Sequence, residues 1–204
     1  MALEWTKNKP KIIGFCGFAR TGKNTAAEYL SRMISEVYGM NIQNDICALG
    51  FADMLKSNLE YLVYNCKDSG CDITTPEFKE KFRPMYVEWS RVYKNITGND
   101  EIWCDIAFKR IKILQNVKLF MITDVRYDYE IRRIKENNGV VIYIDRPGFD
   151  PANDEEEMSF NQIYEKYQSS FDGDSDDILI VKNDGTKLDL CVKCFNILKQ
   201  KGLI

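Results

Sequence analysis

Short apolar runs alternate along the chain with longer stretches in which apolar residues recur every three or four positions. The runs Lys11–Cys16, Asp45–Gly50, Lys118–Thr123, Val140–Ile144 and Ile178–Lys182 read as strands. The amphipathic stretches Thr25–Tyr38, Ala52–Tyr64, Thr75–Asn95, Glu101–Gln115, Tyr129–Asn137 and Lys187–Lys201 read as helices. Near-continuous apolar strands separated by helices predict an α/β fold, its parallel sheet covered on both faces. One stretch breaks the alternation. Asp150–Asp177 is acidic and polar, with Pro151, Gly173 and the run Asp154-Glu155-Glu156-Glu157. It reads either as a solvated loop or as a lid over a bound nucleotide, a common use for a long excursion from a compact α/β domain.

Ligands of open α/β sheets bind beyond the carboxyl ends of the strands. The segments there are Gly17–Thr25, Phe51-Ala52-Asp53, Asp124-Val125-Arg126, Arg146-Pro147 and Asn183-Asp184-Gly185, and all carry polar, charged or glycine residues. The first is the most informative. Gly17-Phe18-Ala19-Arg20-Thr21-Gly22-Lys23-Asn24-Thr25 follows an apolar run and opens a helix. Its glycines let backbone N–H groups turn toward phosphate oxygens, the helix N-terminus adds partial positive charge, and Lys23 supplies a point charge. A glycine-bearing turn without a ligand is the plainer alternative, but strand, helix and lysine are all in the places a P-loop requires. Leu119–Asp124, an apolar strand ending in Asp, has the Walker B form. Its carboxylate can face the Thr25 hydroxyl across a magnesium ion, although a strand-end Asp also serves as a turn or cap residue. Phosphoryl transfer between two anionic nucleotides further needs guanidinium groups. Candidates are Arg20, Arg83, Arg91, Arg126, Arg132, Arg133 and Arg146, with Arg83 beside Pro84 and close to Trp89 and Tyr93.

Composition narrows the classes. A length of 204 residues with 45% apolar content suits one globular domain. The 28 basic and 31 acidic side chains leave a net charge of -3, which gives no electrostatic case for coating a nucleic-acid polymer or an anionic membrane. No signal peptide or membrane-spanning run is recognised, so a soluble cytoplasmic protein is expected. The seven cysteines are expected to be reduced thiols, with Cys191 and Cys194 as small buried residues of the last helix. The chain has no histidine, which excludes a histidine base or triad.

Together these segments resemble the deoxynucleoside monophosphate kinases of tailed bacteriophages. The likeness runs through Gly17–Thr25, Phe51-Ala52-Asp53-Met54-Leu55-Lys56, Arg83 with the aromatic-rich segment to Trp103, Thr123-Asp124-Val125-Arg126-Tyr127 with Glu130, Arg146-Pro147-Gly148 and Asn183-Asp184-Gly185-Thr186. A Gly-Lys-x-Thr ending, with Asn24 between Lys23 and Thr25, is similar to nucleoside monophosphate kinases. It is unlike switches and motors, where the hydroxyl directly follows the lysine. The resemblance implies a three-layer P-loop NTPase fold with a mainly parallel five-stranded sheet. Its core would be about 11–50 and 117–204, with a helical substrate-binding insertion at about 51–116 and a lid at about 147–177.

It also implies transfer of the γ-phosphoryl of ATP to a deoxynucleoside monophosphate with Mg2+, in the host cytoplasm if the chain is phage-encoded. A homodimer is left open. By the same likeness, Gly17, Gly22, Lys23, Asn24, Thr25, Arg146, Asn183 and Asp184 bind ATP, and Lys23, Arg20, Asp124 and Arg126 act in catalysis. Thr25 and Asp124 would hold the metal, while Asp53, Lys56, Arg83, Trp89, Arg91, Trp103 and Glu130 bind the acceptor. Two departures stand out. The lid is acidic and arginine-free between Phe149 and Asp177, where related chains bring basic residues, and Gln168–Asp172 lacks the histidine often found there. Alternatives are a dephospho-coenzyme A kinase-like enzyme and a non-catalytic nucleotide-binding module. Retention of Lys23, Asp124 and several arginines argues against the latter.

Overall fold

The computed structural model describes residues 11–65 and 75–204. All five expected strands form: β1 (Ile12–Cys16), β2 (Ile46–Leu49), β3 (Leu119–Val125), β4 (Gly139–Asp145) and β5 (Leu179–Lys182). They pair in parallel in the order β2-β3-β1-β4-β5. Strand β1 is central and buried at every position, which is why Ile12–Cys16 carries no polar alternation. The helices are α1 (Lys23–Tyr38), α2 (Asp53–Asn65), α3 (Pro76–Thr97), α4 (Ile102–Ile113), α5 (Asp128–Glu136), α6 (Asp154–Lys166), α7 (Gln168–Phe171) and α8 (Lys187–Gln200). No helix among the described residues is long and apolar enough to cross a membrane.

The chain falls into two compact units, Met1–Gly50 with Leu114–Ile204, and Phe51–Ile113. In the first, Ile13 and Phe15 of β1, Met121 of β3 and Ile142 of β4 share a core with Leu30 and Ile34 of α1 and Cys194 and Leu198 of α8. The other face of the sheet meets α5, and two glycines let it come close. A Cβ on Gly14 would lie 2.6 Å from Ile134 Cδ1, and one on Gly139 would lie 2.5 Å from Ile134 Cγ2. Helices therefore cover both faces, and the sheet is the middle of three layers. Cys191 and Cys194 are buried in α8, in keeping with small apolar residues; Cys66 and Cys71 lie outside the described residues. In the second unit, Leu55, Leu59 and Trp103 form a core among α2 and α4, and the rings of Phe51 and Phe108 lie 6.2 Å apart.

The acidic stretch corrects the solvated-loop reading. Residues within Asp150–Asp177 form α6 and α7. The Asn153 side chain caps α6 by accepting the Glu156 N–H at 2.9 Å. Asp154, Glu155, Glu156 and Glu157 occupy the first turn, where the helix dipole favours negative charge. The run that reads as solvation is thus a helix start. Phe160 and Ile163 supply the buried stripe. The Phe160 ring meets Phe18 edge-on at 4.9 Å between centroids and Tyr143 at 5.9 Å.

Removing that cap tests the account. Asn153→Ala should destabilise α6 by about 1 kcal/mol, seen as a lower urea midpoint and faster amide exchange within α6 than in α1. Identical exchange in the two proteins would show that the side chain contributes nothing to the helix start.

Candidate functional site

Strand order places the site. From β1 the chain passes through α1 toward β2 on one side, whereas from β3 it passes through α5 to β4 on the other. The connections diverge between β1 and β3, and such a divergence opens a crevice at the carboxyl ends of the two strands. Gly17–Thr25 follows β1, and Asp124–Arg126 ends β3. The register here is irregular: Gly14 pairs with Ile122, but Cys16 pairs with Val125. One extra residue of β3 is accommodated at Thr123-Asp124, a bulge of the kind that re-aims a side chain beside a ligand site.

The loop after β1 is left-handed at three points, Gly17 (φ 128°), Arg20 (φ 66°) and Gly22 (φ 106°). At Gly17 a Cβ would also lie 2.5 Å from the Ile144 carbonyl oxygen, so the loop lies tight against β4. Arg20 holds its left-handed conformation without a glycine's freedom, at a cost of roughly 1–2 kcal/mol. Three side chains brace the loop. Arg146 Nη1 donates to the Arg20 carbonyl at 3.1 Å, and Asn183 Nδ2 donates to the Thr21 carbonyl at 2.7 Å. The Thr21 hydroxyl donates to the Phe18 carbonyl at 2.9 Å. Arg146 and Asn183, expected at ATP, are thus placed on the loop backbone. The Arg146 guanidinium also lies 4.3 Å from the centre of the Phe149 ring. Asp184, also expected at ATP, forms an ion pair with Lys193.

Lys23 begins α1 and folds back into the loop. Its ammonium donates to the carbonyls of Gly17 and Phe18, both at 2.7 Å. Burial pulls its pKa down to about 8, and the like charge of Arg126 pushes the same way, against the opposing pull of Glu156 and Asp124. Asn24 is exposed and Thr25 half-buried in the first turn. Beneath the loop, burial pushes the Cys16 thiol up to about 12, so it carries no thiolate chemistry.

The turn after Asp124 is held from both sides. Glu130, only 4% exposed, accepts the N–H of Arg126 at 2.6 Å and that of Tyr127 at 3.1 Å. Burial pushes its carboxyl up to about 8, the two N–H groups pull it back, and the charge of Asp124 raises it further. Glu130 was expected at the acceptor. The structure instead makes it a buried cap of the turn, and its place three residues after Tyr127 at a helix start is the sequence signal for that role. From the other side comes α6. The Ser159 hydroxyl donates to the Arg126 carbonyl, Glu156 Oε1 lies 4.0 Å from Arg126 Nη1, and the Tyr127 hydroxyl donates to Glu155 at 2.6 Å. These three α6 residues were not anticipated. An acidic run signals charge but not which of its members faces inward.

The remaining acceptor candidates lie in the second unit. Asp53 pairs with Lys56 at 3.8 Å, Arg91 pairs with Glu88 at 2.6 Å, and Arg83 and Trp89 are exposed. Trp103, expected at the acceptor, is a core residue of its unit at 8% exposure. Its indole N–H donates to the Ser90 hydroxyl at 2.7 Å, and its ring lies 5.3 Å from that of Tyr93. An aromatic at helical spacing reads the same whether it lines a site or fills a core, so sequence spacing did not separate the two.

The lowered Lys23 value fixes a pH dependence. Lys23 is charged below about pH 8 and loses its proton above it, so the affinity of the free protein for a polyphosphate anion should fall as pH rises through that point. Calorimetric titrations between pH 6.5 and 9.5 should show this limb in the parent protein and in Glu130→Gln. Lys23→Arg, charged throughout, should bind without it. A limb that survives Lys23→Arg and disappears in Glu130→Gln would transfer the titration to the buried carboxyl.

No protein-family model matches the chain, and no curated protein matches it in sequence. Among solved structures, a gluconokinase from Sinorhizobium meliloti 1021 is similar with a TM-score of 0.50 at 10% identity, over 94% of this chain and 93% of that one. A thymidylate kinase from Ehrlichia chaffeensis is similar with a TM-score of 0.47 at 13% identity, over 92% and 97%. A shikimate kinase from Aquifex aeolicus vf5 has a TM-score of 0.38 at 15% identity, over 94% and 98%. At these identities the likeness is one of fold. The chain has the three-layer α/β fold of the P-loop kinases.

Proposed function

We propose that this protein transfers the γ-phosphoryl group of ATP to a deoxynucleoside monophosphate, yielding ADP and a deoxynucleoside diphosphate. One observation carries the reading. A glycine-hinged loop at a helix N-terminus holds a half-buried ammonium against two of its own carbonyls, at the crevice where β3 delivers Asp124 and Arg126. Backbone N–H groups, a helix N-terminus and an ammonium together suit a polyphosphate. The kinase named in the fold neighbour with the highest TM-score quoted above supports phosphoryl transfer. The choice of acceptor is supported by the ordered segments Thr123-Asp124-Val125-Arg126-Tyr127 and Asn183-Asp184-Gly185-Thr186.

In this reading Gly17, Gly22, Lys23 and Asn24 receive the ATP phosphates, and Arg146 and Asn183 keep the loop in shape for them, with Asp184 toward the adenine. An acceptor phosphate oxygen attacks the γ-phosphorus, and the bridging oxygen leaves with ADP. Arg20, Lys23 and Arg126 meet the charge that spreads over the moving group. Asp53, Lys56, Arg83, Trp89 and Arg91 of the helical unit take the acceptor. Thr25 and Asp124 offer a hydroxyl and a carboxylate, hard oxygen donors that suit Mg2+, an ion that takes few protein ligands and shares its shell with phosphates and water. When bound, it supplies charge neutralisation on the phosphates.

A coupled assay of ADP formation across deoxynucleoside and ribonucleoside monophosphates and dephospho-coenzyme A tests the reading. The highest kcat/KM should fall on a deoxynucleoside monophosphate; preference for dephospho-coenzyme A, or no transfer to any acceptor, overturns it. Lys23→Ala should raise the barrier by on the order of 3 kcal/mol or more while leaving the protein folded. Asp124→Asn should lower turnover and flatten the magnesium titration.

The two arginines should separate. Arg83→Ala should chiefly raise KM for the monophosphate, and Arg126→Ala should chiefly lower kcat. The reverse pattern would mean that their roles are exchanged.

A further inference from the structure

The acidic segment carries no arginine of its own, yet it grips one. Neighbours engage both main-chain polar groups of Arg126 and one edge of its guanidinium. Glu130 accepts the main-chain N–H at 2.6 Å, Ser159 donates to the main-chain carbonyl, and Glu156 lies 4.0 Å from Nη1. Two of the three partners belong to α6. The Glu156 side chain is 3% exposed, whereas the Arg126 side chain keeps 44% of its surface open. A buried carboxylate is costly unless it is paired and hydrogen-bonded. Glu156 meets that condition with the Ala152 N–H, which donates to its second oxygen at 2.7 Å, and with Arg126. The guanidinium has five N–H donors in a rigid fork, so a hold on one edge leaves others facing outward. The Phe160 ring, packed on Phe18 of the phosphate loop, fixes α6 to the element that Arg126 must work beside.

We propose that Glu156 and Ser159 are positioning residues of α6, which orient Arg126 toward the transferring phosphoryl group. The proposal rests on the phosphotransfer reading above. On this basis the segment over the site contributes transition-state charge indirectly. It borrows the arginine of the β3–α5 turn and aims it, where a basic segment would bring its own. The pairing also ties the aim of Arg126 to the docking of α6, since displacement of the helix would remove both the Ser159 and the Glu156 contacts together.

Glu156→Gln is the informative variant. It keeps an oxygen for the Ala152 N–H and so preserves the helix start, but it removes the charge that orients Arg126. It should lower kcat about tenfold with KM for both nucleotides within about twofold of the parent. Ser159→Ala should act in the same direction by about threefold. In the Arg126→Ala background both substitutions should have no further effect. The same four proteins of the Glu156/Arg126 cycle are to be titrated with ADP and aluminium fluoride, a mimic of the transferring group whose binding needs no turnover. Affinity should fall in Glu156→Gln only when Arg126 is present. If the parent phosphorylates no acceptor, the functional reading fails while this coupling is still measured. Additive losses, an unchanged rate in Glu156→Gln, or a gain in rate or affinity from Glu156→Gln would overturn the proposal, the last by showing that the carboxylate competes with phosphate for Arg126.

Discussion

A half-buried ammonium at the wrong end of a helix dipole is the constraint around which this molecule is arranged. Lys23 stands at the first position of α1, where the dipole is positive, and its charge is further opposed by burial and by Arg126. Neither a cation nor a second cation nearby is favourable there without a counter-ion. The chain offsets part of the cost with two loop carbonyls and the fields of Asp124 and Glu156, and burial and Arg126 still leave the pKa lowered. A bound polyphosphate would add a counter-charge to both cations. The site is preorganised in the sense that matters for phosphoryl transfer: the protein carries the electrostatic cost before the ligand arrives.

Such a loop keeps its shape only if its backbone groups are satisfied by something rigid, and the sheet provides that. Arg146 follows β4, and Asn183 follows β5 while its own N–H bonds back to the Asp145 carbonyl at 2.6 Å. The loop after one strand is therefore fixed by the residues after two others. The opposite flank is treated alike, with the Asp124–Arg126 turn held by Glu130 from α5 and by Ser159 and Glu156 from α6. Parallel pairing brings all these segments to one edge, so short local contacts suffice.

The strands and the phosphate loop were legible in the sequence because burial on both faces leaves an apolar run, and because a left-handed loop before a helix demands glycine and lysine in a fixed order. Gly14 and Gly139 were legible only as residues, since their close contact with Ile134 depends on a helix brought in by the topology. The errors have one physical origin. Glu130, Trp103 and the acidic run were read by residue type, whereas what separates a ligand from a cap, a wall from a core, or a loop from a helix is the direction of the side chain. Glu130 points into the protein, Trp103 spends its N–H on Ser90, and Glu156 turns inward among acidic neighbours that face water.

The central place of β1 has a consequence for how the chain reaches this state. Ile12 pairs with Phe120 and with Gly139, so β1 finds both its neighbours only more than a hundred residues later. The whole helical unit Phe51–Ile113 is synthesised in between. Closing so long a loop costs entropy before any pairing is gained, and until then α1 can cover only one face of a strand that is apolar on both. The order of synthesis thus leaves the central strand waiting for partners made much later, which makes the interval before β3 emerges a point of exposure to aggregation and of use for a chaperone.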